Sequence, residues 1–141
     1  MSETVTPSTV GSGTKLTAMV IDDSRAARTL VGNMLSKLGF EVEKAEHGQD
    51  ALDQLVELPE PPAAVVVDWN MPVMDGVEFA REFRKQDKFK TTPLLMISSE
   101  SDPRRVASAL LAGIDEYLFK PVDSEMIQER LAMLGLRVGQ D

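Results

Sequence analysis

Short apolar runs alternate with stretches in which apolar positions recur every three or four residues, from Lys15 through Leu134. Leu16–Ile21, Ala63–Val67 and Pro93–Ile97 read as strands buried on both faces of a parallel sheet, where near-continuous apolar character replaces alternation. Val42–Ala45 and Glu116–Phe119 are more mixed and read as the two edge strands. Between them the period changes to helical. Ala27, Leu30, Val31, Met34, Leu35 and Leu38 form an apolar stripe behind Ser24, with Gly39 placed to end the helix as its C′ residue. Ala51, Leu52, Leu55 and Val56 repeat the pattern after Gly48, and Pro59 lies beyond the end. Asp75 followed by Glu78 predicts a capping box before Phe79, Ala80 and Phe83. Asp102-Pro103 is an N-cap and N1 pair leading through Val106, Ala109 and Leu110 to Gly113. Asp123 caps a last helix carrying Ile127, Leu131 and Leu134.

Five strands alternating with five helices predict a three-layer α/β/α domain, a (βα)5 unit whose right-handed crossovers place helices on both sides of a parallel sheet. A flavodoxin-like strand order 2-1-3-4-5 would make the first and third strands neighbours and open a crevice at their carboxyl ends, where ligands of such sheets bind. Residues 15–135 are expected to form this domain. Residues 1–14, rich in Ser, Thr, Gly and Pro, read as a flexible leader, and 136–141 as a short tail.

Charge and composition narrow the function classes. A net charge of −8 disfavours a chain that grips nucleic acid or an anionic membrane by bulk electrostatics. With no cysteine and a single histidine, His47, any metal must be held by oxygen. No apolar run approaches the roughly 20 residues of a membrane helix, and no secretory signal pattern opens the chain, so a cytoplasmic protein is expected.

Candidate chemistry sits at the predicted strand ends. Asp22 and Asp23 follow the first strand, Asp68 the third, Ser98 the fourth and Lys120 the fifth. Singly, each has an ordinary reading: a helix cap for Asp22 or Asp23, a turn acid for Asp68, a loop hydroxyl for Ser98, a solvated charge for Lys120. Together, acids, a hydroxyl and a lysine in this order predict a magnesium-dependent phosphorylation site.

The runs Val20-Ile21-Asp22-Asp23-Ser24, Asp68-Trp69-Asn70-Met71-Pro72 with Met74-Asp75-Gly76, Met96-Ile97-Ser98-Ser99 and Tyr117-Leu118-Phe119-Lys120-Pro121 resemble the receiver domain of bacterial two-component response regulators. The resemblance covers about Lys15 to Leu134 and is greatest to the single-domain chemotaxis regulators. It implies that Asp68 accepts a phosphoryl group from a histidine kinase. It implies Mg2+ held by Asp23, Asp68 and the Asn70 carbonyl, with Asp22 on a coordinated water, while Lys120 and Ser98 contact phosphoryl oxygens. Ser98 and Tyr117 would act as the switch. Asn70 and Glu100 would tune hydrolysis of a short-lived acyl phosphate. Arg104, Arg105, Tyr117 and Phe119 would mark the output surface for a protein target such as a flagellar switch component. The protein is expected to be a monomer without a nucleic-acid partner, and with only Gly135–Asp141 after the last helix no DNA-binding domain is expected. Two alternatives stay open: a phosphorelay receiver outside chemotaxis, and a phosphatase of the haloacid dehalogenase type. The second usually carries an Asp two residues after its nucleophile, where this chain has Asn70.

Overall fold

A computed structural model describes residues 15–139. The expected leader 1–14 and the last two residues of the expected tail lie outside the described residues.

Five strands form one parallel sheet in the order β2-β1-β3-β4-β5: β1 (Thr17–Ile21), β2 (Glu41–Ala45), β3 (Ala64–Asp68), β4 (Leu94–Ser98) and β5 (Glu116–Phe119). The two mixed strands are the edges, as their composition predicts. Helices α1 (Arg25–Lys37), α2 (Gly48–Glu57), α3 (Gly76–Lys85), α4 (Pro103–Leu111) and α5 (Ser124–Met133) alternate with the strands. This is the flavodoxin-like three-layer fold.

Period-two alternation divides the strand side chains between two cores. Met19, Ile21, Val65, Val67, Leu94 and Met96 face α2, α3 and α4, where Leu55, Phe79, Phe83 and Ala109 meet them. Ala18, Val20, Val66, Leu95, Ile97 and Leu118 face α1 and α5 through Val31, Leu35, Ile127 and Leu131. Leu136 and Val138, in the segment read as a tail, are buried in this second core. Gln128 Nε2 donates to the Val138 carbonyl at 2.7 Å and holds the segment there.

Helix starts follow the capping residues. Ser24 Oγ accepts the Ala27 N–H, Asp102 Oδ1 that of Arg104, and Asp123 Oδ1 that of Met126. The α3 capping box is complete, with Glu78 N to Asp75 Oδ1 at 2.8 Å and Asp75 N to Glu78 Oε1 at 2.9 Å. Gly39 takes φ 106° after α1, as a C′ glycine does.

Three details depart from the expected pattern. His47 caps α2 through Nδ1, which accepts the Asp50 N–H at 3.2 Å. A 3-10 turn, Asp87–Phe89, buries Phe89 in a stack on Phe83 with ring centroids 4.7 Å apart. Leu30, Val56 and Leu110, expected on apolar stripes, stand 59%, 56% and 45% exposed. Each sits at the margin of its helix's apolar arc, and the sheet covers only the central ridge.

Candidate functional site at the carboxyl ends of the strands

Register decides which strand ends meet. Ile21 pairs with Val67, Asp68 with Ile97, and Ser98 with Phe119, so β1, β3, β4 and β5 end at one level. Because Ser24 is the α1 N-cap, the two preceding acids are free of that duty. Asp22 instead folds back, its Oδ1 accepting the Ser24 N–H at 2.9 Å.

One carboxylate oxygen each from Asp22, Asp23 and Asp68 lies within 4.8 Å of the others. Lys120 Nζ stands 3.2 Å from Asp68 Oδ1, and its peptide bond to Pro121 is cis. Burial is the largest influence raising the Asp22 carboxyl above its ordinary value; the Ser24 N–H opposes it, and the negative charge of Asp68 adds to it. Burial also raises Asp68, against the charge and hydrogen bond of Lys120. Asp22 and Asp68 thus lie in a partly dry space, beside the exposed Asp23 and one lysine. An all-oxygen donor set of this kind, whose buried acids resist ionisation, suits a hard divalent cation such as Mg2+.

Ser98 is buried at 1% exposure, and its Oγ accepts the Glu100 N–H at 3.0 Å. The Ser98 carbonyl accepts the Lys120 N–H at 2.9 Å, tying the β4 end to the lysine. Asn70 is exposed on the loop after β3. Tyr117 is 8% exposed and its hydroxyl donates to the Glu100 carbonyl at 2.8 Å. Burial raises the phenol above its usual value of 10.0. Phe119 is 49% exposed, with its ring centroid 5.2 Å from that of Tyr117. Arg104 projects at the surface of α4, whereas the Arg105 side chain turns toward Glu100 and Trp69.

The structure brings together Asp22, Asp23, Asp68 and Lys120. Tyr117, Phe119, Glu100 and Arg105 form an adjoining group, and Ser98 bridges the two. Two contributors escaped the sequence. Arg28 Nη1 donates to the Asp22 carbonyl at 2.8 Å, fixing the loop after β1 from one helical turn away. Gly76 lets α3 begin against the end of β3: its N–H reaches the Trp69 carbonyl at 2.8 Å, and an added Cβ would clash with the Asp68 carbonyl oxygen. A glycine at the first helical position, where it lacks a capping reason, is the signal that could have marked this close approach.

A doubly wound parallel sheet carries a carboxylate cluster and a lysine at its switch point, between β1 and β3. The chain belongs to the response regulator receiver domain family, whose profile matches residues 18–132. It is similar to the chemotaxis protein CheY1 of Helicobacter pylori, 36% identical over 117 residues that span 82% of this chain and 94% of that protein. A chemotaxis protein CheY homolog of Campylobacter jejuni is 36% identical over 124 residues, 86% of this chain and 95% of that protein. Among solved structures, the chemotaxis response regulator CheY4 of Vibrio cholerae superposes with a TM-score of 0.78 at 32% identity, covering 86% of this chain and 99% of that one. Receiver domains are signalling phospho-acceptors rather than turnover enzymes, and the family implies a histidine kinase as partner. Among the described residues, no helix is long and apolar enough to cross a membrane.

Proposed function

We propose that Asp68 is the phospho-acceptor of a cytoplasmic response regulator in chemotaxis or motility control. An Asp68 carboxylate oxygen attacks the phosphorus of a kinase phosphohistidine as the P–N bond breaks. The bonding electrons leave with the imidazole nitrogen, which takes up a proton, and an acyl phosphate remains on Asp68. Transfer of this kind depends on alignment and charge neutralisation more than on acid or base catalysis.

The observation that carries the reading is the gathering of Asp22, Asp23 and Asp68 within 4.8 Å, with Lys120 on Asp68 at 3.2 Å. Asp22, Asp23, Asp68 and the Asn70 carbonyl would hold Mg2+, which when bound offsets the crowded negative charge. Lys120 steadies the carboxylate and then serves a phosphoryl oxygen as a point charge, and Ser98 donates its hydroxyl to another. Asn70 and Glu100 tune how fast water removes the group.

Output runs through the face formed by α4 and β5. Ser98 and Tyr117 report the phosphoryl group to Phe119, Arg104 and Arg105, and a protein target such as a flagellar switch component binds there. The chemotaxis assignment draws on the relatives, which are named as chemotaxis proteins. Moving such a surface from mostly off to mostly on requires about 5.5 kcal/mol of differential stabilisation.

Trp69, the only tryptophan, is buried beside the acceptor. Its fluorescence is expected to change on adding magnesium and again on adding beryllofluoride. In Asp68→Asn the second change should vanish. An undiminished response in that variant would place the acceptor elsewhere.

A further inference from the structure

Arg105 lies in the first turn of α4, where the helix dipole opposes a cation and the turn itself carries no acidic residue beyond the Asp102 cap. Its position is stabilised from outside the helix. Nε stands 2.9 Å from Glu100 Oε1, and Cζ sits 4.6 Å from the centroid of the Trp69 ring. Glu100 is held at every polar group that it presents. Its Oε2 accepts the Asp102 N–H at 3.0 Å, its own N–H donates to Ser98 Oγ at 3.0 Å, and its carbonyl accepts the Tyr117 hydroxyl at 2.8 Å. Trp69 directly follows Asp68 and meets Tyr117 edge-on at 6.2 Å. A single guanidinium therefore joins the residue after the acceptor to the residue two places after the hydroxyl.

We infer that Arg105 is a positioning residue for the phosphoryl chemistry, acting through Glu100. It clamps the Glu100 carboxylate against the start of α4 and keeps that negative charge from swinging over the mouth of the acid cluster. There the carboxylate would repel an incoming phosphodonor and add to the charge that the cluster already carries. The stack on Trp69 fixes the plane of the guanidinium so that Nε faces Glu100. A lysine in its place would retain the charge but lose the flat contact. The inference rests on Asp68 being the acceptor.

The test is a double-mutant cycle on the full chain, with acetyl phosphate and magnesium, following the rate of acyl phosphate formation. Arg105→Ala should slow phosphorylation about ten-fold at low salt and less at high salt, as expected for one exposed charge released near an anionic reaction. In a Glu100→Gln background the same substitution should change the rate less than about two-fold, because the repelling charge is gone. Arg105→Lys should recover most of the rate while leaving the resting Trp69 fluorescence altered. An equal loss from Arg105→Ala in both backgrounds would mean that Arg105 acts on the phosphodonor directly or only through the fold, and would overturn the inference. No loss in the parent background would overturn it as well. If the parent took up phosphate and Asp68→Asn did not, the acceptor reading would stand even as this one fell. A parent that took up none would sink both.

Discussion

The two ends of the sheet treat buried charge in opposite ways. At the amino ends of β4 and β5, Arg84 donates to the carbonyls of Gly113, Phe89 and Thr92 at 3.0, 2.7 and 2.8 Å, and to Asp115 Oδ2 at 2.8 Å. The same Asp115 oxygen accepts the Leu94 N–H at 2.9 Å, so one ion pair laces the α3–β4 and α4–β5 connections together. At the carboxyl ends, Asp22, Asp23 and Asp68 share one lysine. Burial does not separate the two, since the Arg84 and Asp68 side chains are 17% and 11% exposed. Completeness does. The Arg84 network closes within the chain and stabilises it, whereas the acid cluster is short of positive charge. A charged group held short of partners is poised for a ligand.

Substitutions and magnesium should separate the two ends. The largest effect is expected from Gly76→Ala, where the new methyl group meets the Asp68 carbonyl oxygen and Met96 Cε with no flexible backbone to yield. A loss of about 3 kcal/mol or more in denaturant unfolding is expected. A loss below about 1 kcal/mol would show that α3 can move off β3. Arg84→Ala should cost about 2 kcal/mol by the same measurement, because carbonyls and a carboxylate lose their donor together. That loss should not depend on magnesium.

Magnesium should act only at the other end, and with a defined pH dependence. The folded-state values of Asp22 and Asp68 are raised by burial above the ordinary 3.8. For raised groups, the stability contribution in magnesium-free buffer is fully present below the unfolded value and is lost as pH rises through the folded one. A bound cation reverses this at neutral pH, because it favours the ionised acids. At a concentration ten-fold above its dissociation constant, magnesium should add about 1.4 kcal/mol near neutrality. The gain should disappear as the acids protonate. Thermal unfolding across pH, with and without magnesium, checks this, and a gain equal in acid and neutral buffer would speak against binding at these carboxylates.

Much of this was readable along the chain. The strand runs, the caps at Ser24, Asp75, Asp102 and Asp123, and the acids and lysine at strand ends all stand where periodicity and capping chemistry place them. These signals are local: a cap or an apolar period is written within a few residues and survives any packing consistent with it. What was missed depends on neighbours remote in sequence. The His47 cap was hidden because histidine is an uncommon N-cap residue. Leu30 looked buried because the pattern does not say how wide a strip of helix the sheet covers. Arg105 was expected only on the output surface, because nothing near it in sequence announces Trp69, a partner carried by another strand's loop.

By itself, then, the order of residues determined the alternation of strands and helices and the chemical types arriving at one edge of the sheet, since both follow from side-chain period and backbone capping. Only the tertiary structure decided that Arg84 is complete and the acid cluster is not, and that Arg105 faces the loop after β3. Those outcomes depend on distances between chain segments that nearest-neighbour chemistry leaves free, and the parallel register and helix packing set them.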